Sequence, residues 1–152
     1  MARKAYEYAL ELLSARGYTI RNLRRKLVSK EYEAEEIEGV IERLIECGLL
    51  DDARYAREYA RQKLTSGGSS VRRVRQQLLV RGVSSEHARA ATDAVMREES
   101  VDIERSINAT VRRKLASIGD LPRDVKRRRV FALLARRGFE IADIRRAVDG
   151  VS

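Results

Sequence analysis

The chain has 152 residues, with 32 lysines and arginines against 23 aspartates and glutamates, and only one proline, one cysteine and one histidine. A net charge of +9 predicts attraction to a polyanion or to an acidic protein face. A lone cysteine excludes an internal disulfide, and no run reaches the roughly 18 unbroken apolar residues of a membrane span. The opening Met1-Ala2-Arg3-Lys4-Ala5 leads straight into mixed residues rather than a leader pattern, so the expected setting is cytoplasmic.

Apolar residues recur at helical spacing from the start. Ala5, Ala9, Leu12 and Leu13 form one stripe, Ile20, Leu23 and Leu27 a second, and Ile37, Val40, Ile41, Leu44 and Ile45 a third. Gly17 separates the first two predicted helices, Thr19 is the expected N-cap of the second, and Gly48 ends the third. Asp51 and Asp52 then mark a helix start, because carboxylates suit the positive end of the helix dipole.

The plan repeats. A predicted helix from about Asp52 to Leu64 runs into Ser66-Gly67-Gly68-Ser69, read as a flexible linker. Ser70 caps a helix carrying Val71, Val74 and Leu78, Gly82 ends it, and Ser84 opens the next. Between Met96 and Ile107 only Ser100 is a candidate helix breaker, so one continuous helix is expected to join the second unit to the third. Ile103, Ile107, Val111 and Leu115 then form a stripe. Asp120-Leu121-Pro122 predicts a start with proline in the first turn. That helix is expected to be longer at its N-terminal end than its two counterparts, and Arg127 stands where the other units have Ile20 and Val71.

The recurrence is one of position as well as kind. Leu23, Leu27, Tyr32, Ile37 and Val40 return 51 positions later as Val74, Leu78, Val83, Ala88 and Ala91. They return 56 positions further on as Val130, Leu134, Phe139, Ile144 and Ala147. A period near 50 predicts an all-α fold: three tandem three-helix modules, 1–50, 51–100 and 101–152, in an elongated, curved array. The apolar stripes are taken up by internal packing, which predicts a monomer. Charge is graded along it: 9 basic and 9 acidic residues in 1–50, 10 and 8 in 51–103, 13 and 6 in 104–152.

Signs of catalysis are absent from the pattern. His87 and Cys47 lie far apart, no cluster has metal-ligand spacing, and the glycines at 67 and 68 lack the lysine of a phosphate loop. The expectation is a non-enzyme without cofactor or metal. The basic clusters speak more clearly. Arg24-Arg25-Lys26, then Arg72-Arg73 with Arg75, then Lys126-Arg127-Arg128-Arg129 fall near the start of the second helix of each module. On a helical wheel Arg25, Arg72, Arg128 and Arg136 face outward. A solvated face accounts for the first cluster, balanced by the glutamates of 31–38, but less well for four consecutive cations. All six tyrosines lie in the first 59 residues, so contact with nucleic acid would rest on phosphates rather than stacked bases. Tyr6, Tyr18 and Tyr55 are candidates for a protein contact.

The run from Leu44 through Gly48-Leu49-Leu50-Asp51-Asp52 to Ala56 resembles the RecX regulatory proteins. So do Arg72-Arg73-Val74-Arg75-Gln76-Gln77-Leu78 with Arg81-Gly82-Val83, and Lys126 to Phe139. The resemblance covers nearly the whole chain. Two departures are the absence of tryptophan, which members often carry in the third repeat, and Ser-Gly-Gly-Ser-Ser before Arg72, where a glycine-proline turn is common. The resemblance implies tandem three-helix modules that bind the RecA recombinase and its filament on single-stranded DNA, usually inhibiting its ATPase and strand exchange. Carried onto this chain, it points to Arg72, Arg73 and Arg75, and to Lys126, Arg127, Arg128, Arg129 and Arg136, with module one directed more to protein. A rival reading is a general DNA-binding protein acting through phosphates, since a three-helix unit with a basic second helix is similar to helix-turn-helix domains. A third is a helical scaffold with no nucleic acid nearby.

Overall fold

The computed structural model describes residues 3–65 and 68–152. Met1 and Ala2 of the opening stretch, and Ser66 and Gly67 of the expected linker, lie outside them. The described residues form nine α-helices and no strand. These are α1 (Ala5–Ala15), α2 (Ile20–Ser29), α3 (Ala34–Glu46), α4 (Asp52–Thr65), α5 (Val71–Val80), α6 (Ser85–Glu98), α7 (Ile103–Ile118), α8 (Arg123–Arg136) and α9 (Ile141–Asp149).

Side-chain capping sets many of the starts. Thr19 Oγ1 accepts from Asn22 N, Ser70 Oγ from Arg73 N, Ser84 Oγ from His87 N and Asp102 Oδ1 from Arg105 N, each satisfying an otherwise orphaned donor. Asp51 and Asp52 divide two tasks. Asp51 Oδ1 accepts from Arg54 N in α4, while Asp52 Oδ1 reaches back to Ile20 N and ties module two to module one.

Each consecutive triplet closes round its own apolar cluster. Leu23, Leu27, Ile37, Ile41 and Leu44 fill the first; Leu64, Val74, Leu78 and Val95 the second; Val130, Leu134, Phe139 and Ile144 the third. Three small cores leave much surface in water. A compact chain of 17.4 kDa would expose roughly 7,900 Å², whereas this one exposes 9791 Å². The molecule is elongated.

The modules join end to end through their second helices. Thr19 Oγ1, at the start of α2, donates to the carbonyl of Arg81 at the end of α5, 2.6 Å away. Ser70 N, at the start of α5, donates to the carbonyl of Arg137 at the end of α8, 3.2 Å away. The helices therefore stack as α8, α5, α2, each C-terminus meeting the N-terminus of the next. That alignment brings opposite dipole ends together and gives terminal carbonyls the donors they lack.

Residue size sets how closely the outer helices of each module approach. In module two, Ala56 and Ala60 of α4 face Ala88 and Ala91 of α6, and the two helices pack tightly along their length. The matching residues in module three are Ile107, Val111, Ile144 and Ala147, and there α7 and α9 touch little. Branched side chains prop them apart.

Several expectations are corrected. No continuous helix joins modules two and three: Ser100 turns left-handed at φ 47°, and Asp102 caps a new helix. Pro122 stands just before α8, as its N-cap residue, rather than inside the first turn. The expected linker packs where it is described: Gly68, Ser69 and Ser70 are buried against module three. Ile45 is 44% exposed and takes no part in the core. Ile20 and Val71 are half-buried and pack at the edge of their cores, the place that Arg127 takes in module three. The expected lengthening of α8 is present, at 14 residues against 10 in α2 and 10 in α5.

Candidate nucleic-acid interface

The second helices carry the cations, and the fold sorts them by helix face. Three of them are turned to the third helix of their own module. Arg24 Nε lies 2.7 Å from Glu38 Oε1. That bond raises the Arg24 pKa, against the opposing effect of burial, and holds the Glu38 carboxyl below the ordinary glutamate value. Arg75, the repeat partner of Arg24, bonds Thr92 Oγ1 and Asp93 Oδ1, both at 2.8 Å. Arg127 donates to Asp149 Oδ1 at 2.7 Å. These arginines hold their modules together.

Arg73 has another task. Its guanidinium donates to the main-chain carbonyl of Arg136, across the joint between modules two and three. Arg21 does the same one joint earlier, donating to the carbonyl of Val80. Sequence reasoning left Arg21 out; its position two residues after the Thr19 cap was the available signal. A carbonyl does not neutralise a guanidinium, so both keep their charge.

The rest are turned outward, Lys126 half-buried and the others exposed. Arg25, Lys26, Arg72, Lys126, Arg129 and the Arg136 side chain have no ion-pair or hydrogen-bond partner among the described residues. Arg128 faces Asp124 at 3.5 Å, with both side chains about three-quarters exposed, an i,i+4 pair of small worth. Lys126, Arg129 and Arg136 follow one flank of α8 at helical spacing. That flank spans about 15 Å and ends at the joint where Arg72 and Arg73 begin α5. The joint thus gathers Arg72, Arg73, Arg136 and Arg137 from two modules. Such a row of cations can neutralise successive phosphates, and it offers no aromatic ring for base stacking.

Module one has a smaller basic groove. Arg16, which sequence reasoning passed over, lies 4.6 Å above the Tyr18 ring and lines this groove with Asn22, Arg25, Lys26 and Ser29. The tyrosine candidates do not form one patch. Tyr18 is buried at 8% exposure and belongs to the core. Tyr55 stacks on Tyr59 with ring centres 6.2 Å apart and shares a cleft with Tyr18 at the joint of modules one and two. Tyr6 lies apart, beneath Arg43 at 4.0 Å. Among the described residues no group of histidine, cysteine, aspartate and glutamate is arranged to hold a metal, and no helix is long and apolar enough to cross a membrane.

Tandem three-helix domains in an extended row, with cations gathered at a joint, define a modular all-α protein rather than a one-pocket domain. Family profiles agree. The first three-helix domain of RecX matches residues 5–44, and the second matches residues 51–91. The regulatory protein RecX of Trichlorobacter lovleyi is 37% identical over 137 residues, covering 88% of this chain and 86% of its own. That of Stenotrophomonas maltophilia is 36% identical, covering 91% and 82%. The crystal structure of RecX from Lactobacillus salivarius shares the fold, with a TM-score of 0.73 at 20% identity over 96% of this chain and 93% of that one. The chain belongs to the RecX family of regulatory proteins.

Proposed function

We propose that this chain binds the RecA recombinase filament on single-stranded DNA and lowers its ATPase and strand-exchange activity. The observation that carries the reading is the arginine joint between α5 and α8, set within a row of RecX-type modules. On this reading the row lies in the groove of the helical filament, against neighbouring subunits. Within such a groove, Arg72, Arg129, Arg136 and Lys126 meet DNA phosphates, and Arg25 and Lys26 extend the same contact from module one. A ligand that spans adjacent subunits favours one filament geometry by its differential affinity for it. Arg24, Arg75 and Arg127 serve the binding face indirectly, by keeping each second helix in place.

The test is the DNA-stimulated ATPase of the cognate recombinase, titrated with this protein at fixed salt while binding to bare DNA is followed in parallel. Inhibition below the concentration that coats free DNA identifies the filament as target. Inhibition that waits for DNA saturation means competition for phosphates, and general DNA binding then replaces this reading.

A further inference from the structure

A second opening lies off the cation row of α8 and α5, with one arginine, Arg146, at its edge. Between α7 and α9 is a groove of about 640 Å³. The helices are splayed there, with Ile107 and Ile144 standing where module two has Ala56 and Ala88. Val101, Ile103, Ile107 and Ala147 give it an apolar floor. Its rim carries three carboxylates, Asp102, Glu104 and Asp143, against one arginine, Arg146, although residues 104–152 carry 13 basic and 6 acidic side chains. Asp102 is committed to capping α7, and Asp143 to its ion pair with Arg146. Glu104, also at the rim, is exposed and has no partner among the described residues.

We propose that this groove is a protein-docking site. It takes a short segment of the recombinase with an apolar side chain for the floor and a lysine or arginine beside it for Glu104. An apolar floor with an unpaired carboxylate at its edge selects that chemistry. Module three then meets two ligands on two faces: DNA phosphates along α8, protein between α7 and α9. The proposal rests on the recombinase reading above and reassigns the protein contact from module one to module three.

The test uses the full chain, DNA-free recombinase and a single-stranded oligonucleotide, with Glu104→Arg and Asn108→Trp as variants. Both residues are exposed; the first reverses the rim charge and the second fills the opening. Each variant is expected to weaken binding to DNA-free recombinase about tenfold, the loss of an interface anchor, with no loss of oligonucleotide affinity. Unchanged recombinase binding by both variants, with wild type binding, overturns the groove and leaves the recombinase reading intact. Loss of oligonucleotide binding instead makes the groove part of the DNA site and overturns the proposal. So does a wild-type dimer in sedimentation that both variants dissolve. Wild type that does not bind DNA-free recombinase overturns the groove, while the ATPase titration decides the filament reading separately.

Discussion

Arg73 donates its guanidinium to the main-chain carbonyl of Arg136, 63 positions further along the chain. The joint they form leaves no room beside it. Gly138 holds φ 82°, and a Cβ there would stand 2.7 Å from Ser70 Oγ and 3.0 Å from Arg73 Cβ. Gly82 is its counterpart at the earlier joint, at φ 93°, where a Cβ would meet the Arg21 side chain at 2.7 Å. The same repeat position in module one is Glu31, also left-handed at φ 62°. In the stack of second helices, α2 comes last and no further module docks on it, so a side chain there meets no neighbouring helix.

Gly138→Ala is therefore expected to cost about 1–2 kcal/mol from the backbone alone, with the clash added. The loss falls on the joint: exchange of the Ser70 amide, bonded to Arg137, should quicken while helix content holds. Glu31→Gly should instead stabilise module one, by about 0.5 kcal/mol, since relief of the left-handed residue outweighs the looser unfolded chain. A stability loss at Glu31→Gly equal to that at Gly138→Ala would refute the distinction.

Arg72 and Arg75 are three positions apart yet are expected to part company in function. Arg72 is exposed and makes no ion pair or side-chain hydrogen bond among the described residues, so Arg72→Ala should leave stability within about 0.5 kcal/mol. It should nonetheless weaken single-strand binding, and the slope of log affinity against log salt should fall by about 0.7 for the lost phosphate contact. Arg136→Ala should behave likewise. Arg75→Ala removes the bonds to Thr92 and Asp93 and should cost about 1 kcal/mol of stability, with the salt slope unchanged. Equal salt slopes for Arg72→Ala and wild type would remove Arg72 from the interface.

The Arg24–Glu38 bond gives module one an acid-sensitive element. Hydrogen bonding to Arg24 lowers the Glu38 pKa from its ordinary 4.5. A carboxyl with a depressed folded value stabilises the fold fully above its unfolded value and loses that effect as pH falls through the folded one. The melting temperature of wild type should exceed that of Glu38→Gln at neutral pH. The gap should shrink as pH drops below 4.5 and close beneath the depressed value. Both groups are exposed, so the gap is small. A gap that stays constant into acid would exclude Glu38 as its source.

The fold was legible in the sequence because burial is periodic. Leu23, Val74 and Val130 recur in register and all lie at 0% exposure. The caps Thr19, Ser70 and Ser84 were legible for a similar local reason, each standing just ahead of an apolar stripe. What depends on distant residues was not. Arg73 and Arg75 are the same letter in one cluster, yet one clamps a joint and the other pins α6, since two residues along a helix turn the side chain by about 200°. Arg127 gave no sign that Asp149 would face it. The break after α6 falls at Ser100, the one candidate breaker of that stretch, but its left-handed turn is not announced by its residue type. The groove between α7 and α9 escaped notice because the volumes of Ile107 and Ile144 matter only once the two helices face each other.

That volume effect makes a last, sharp comparison. Ala91 and Ala147 hold the same repeat position, 56 residues apart. Ala91 is 2% exposed where α6 packs tightly on α4. Two added methyl groups have nowhere to go there, and Ala91→Val should cost about 1–3 kcal/mol through overpacking. Ala147 lines the open groove, where α9 barely touches α7, so Ala147→Val should cost only the lower helix propensity of valine, about 0.5 kcal/mol. Hydrogen exchange read module by module checks both. Faster opening in Ala91→Val should stay within α4 to α6, because no apolar cluster crosses to the neighbouring modules. Equal costs at the two sites would mean that α7 and α9 pack in solution as closely as α4 and α6, and the groove with its proposed occupant would fall with that result.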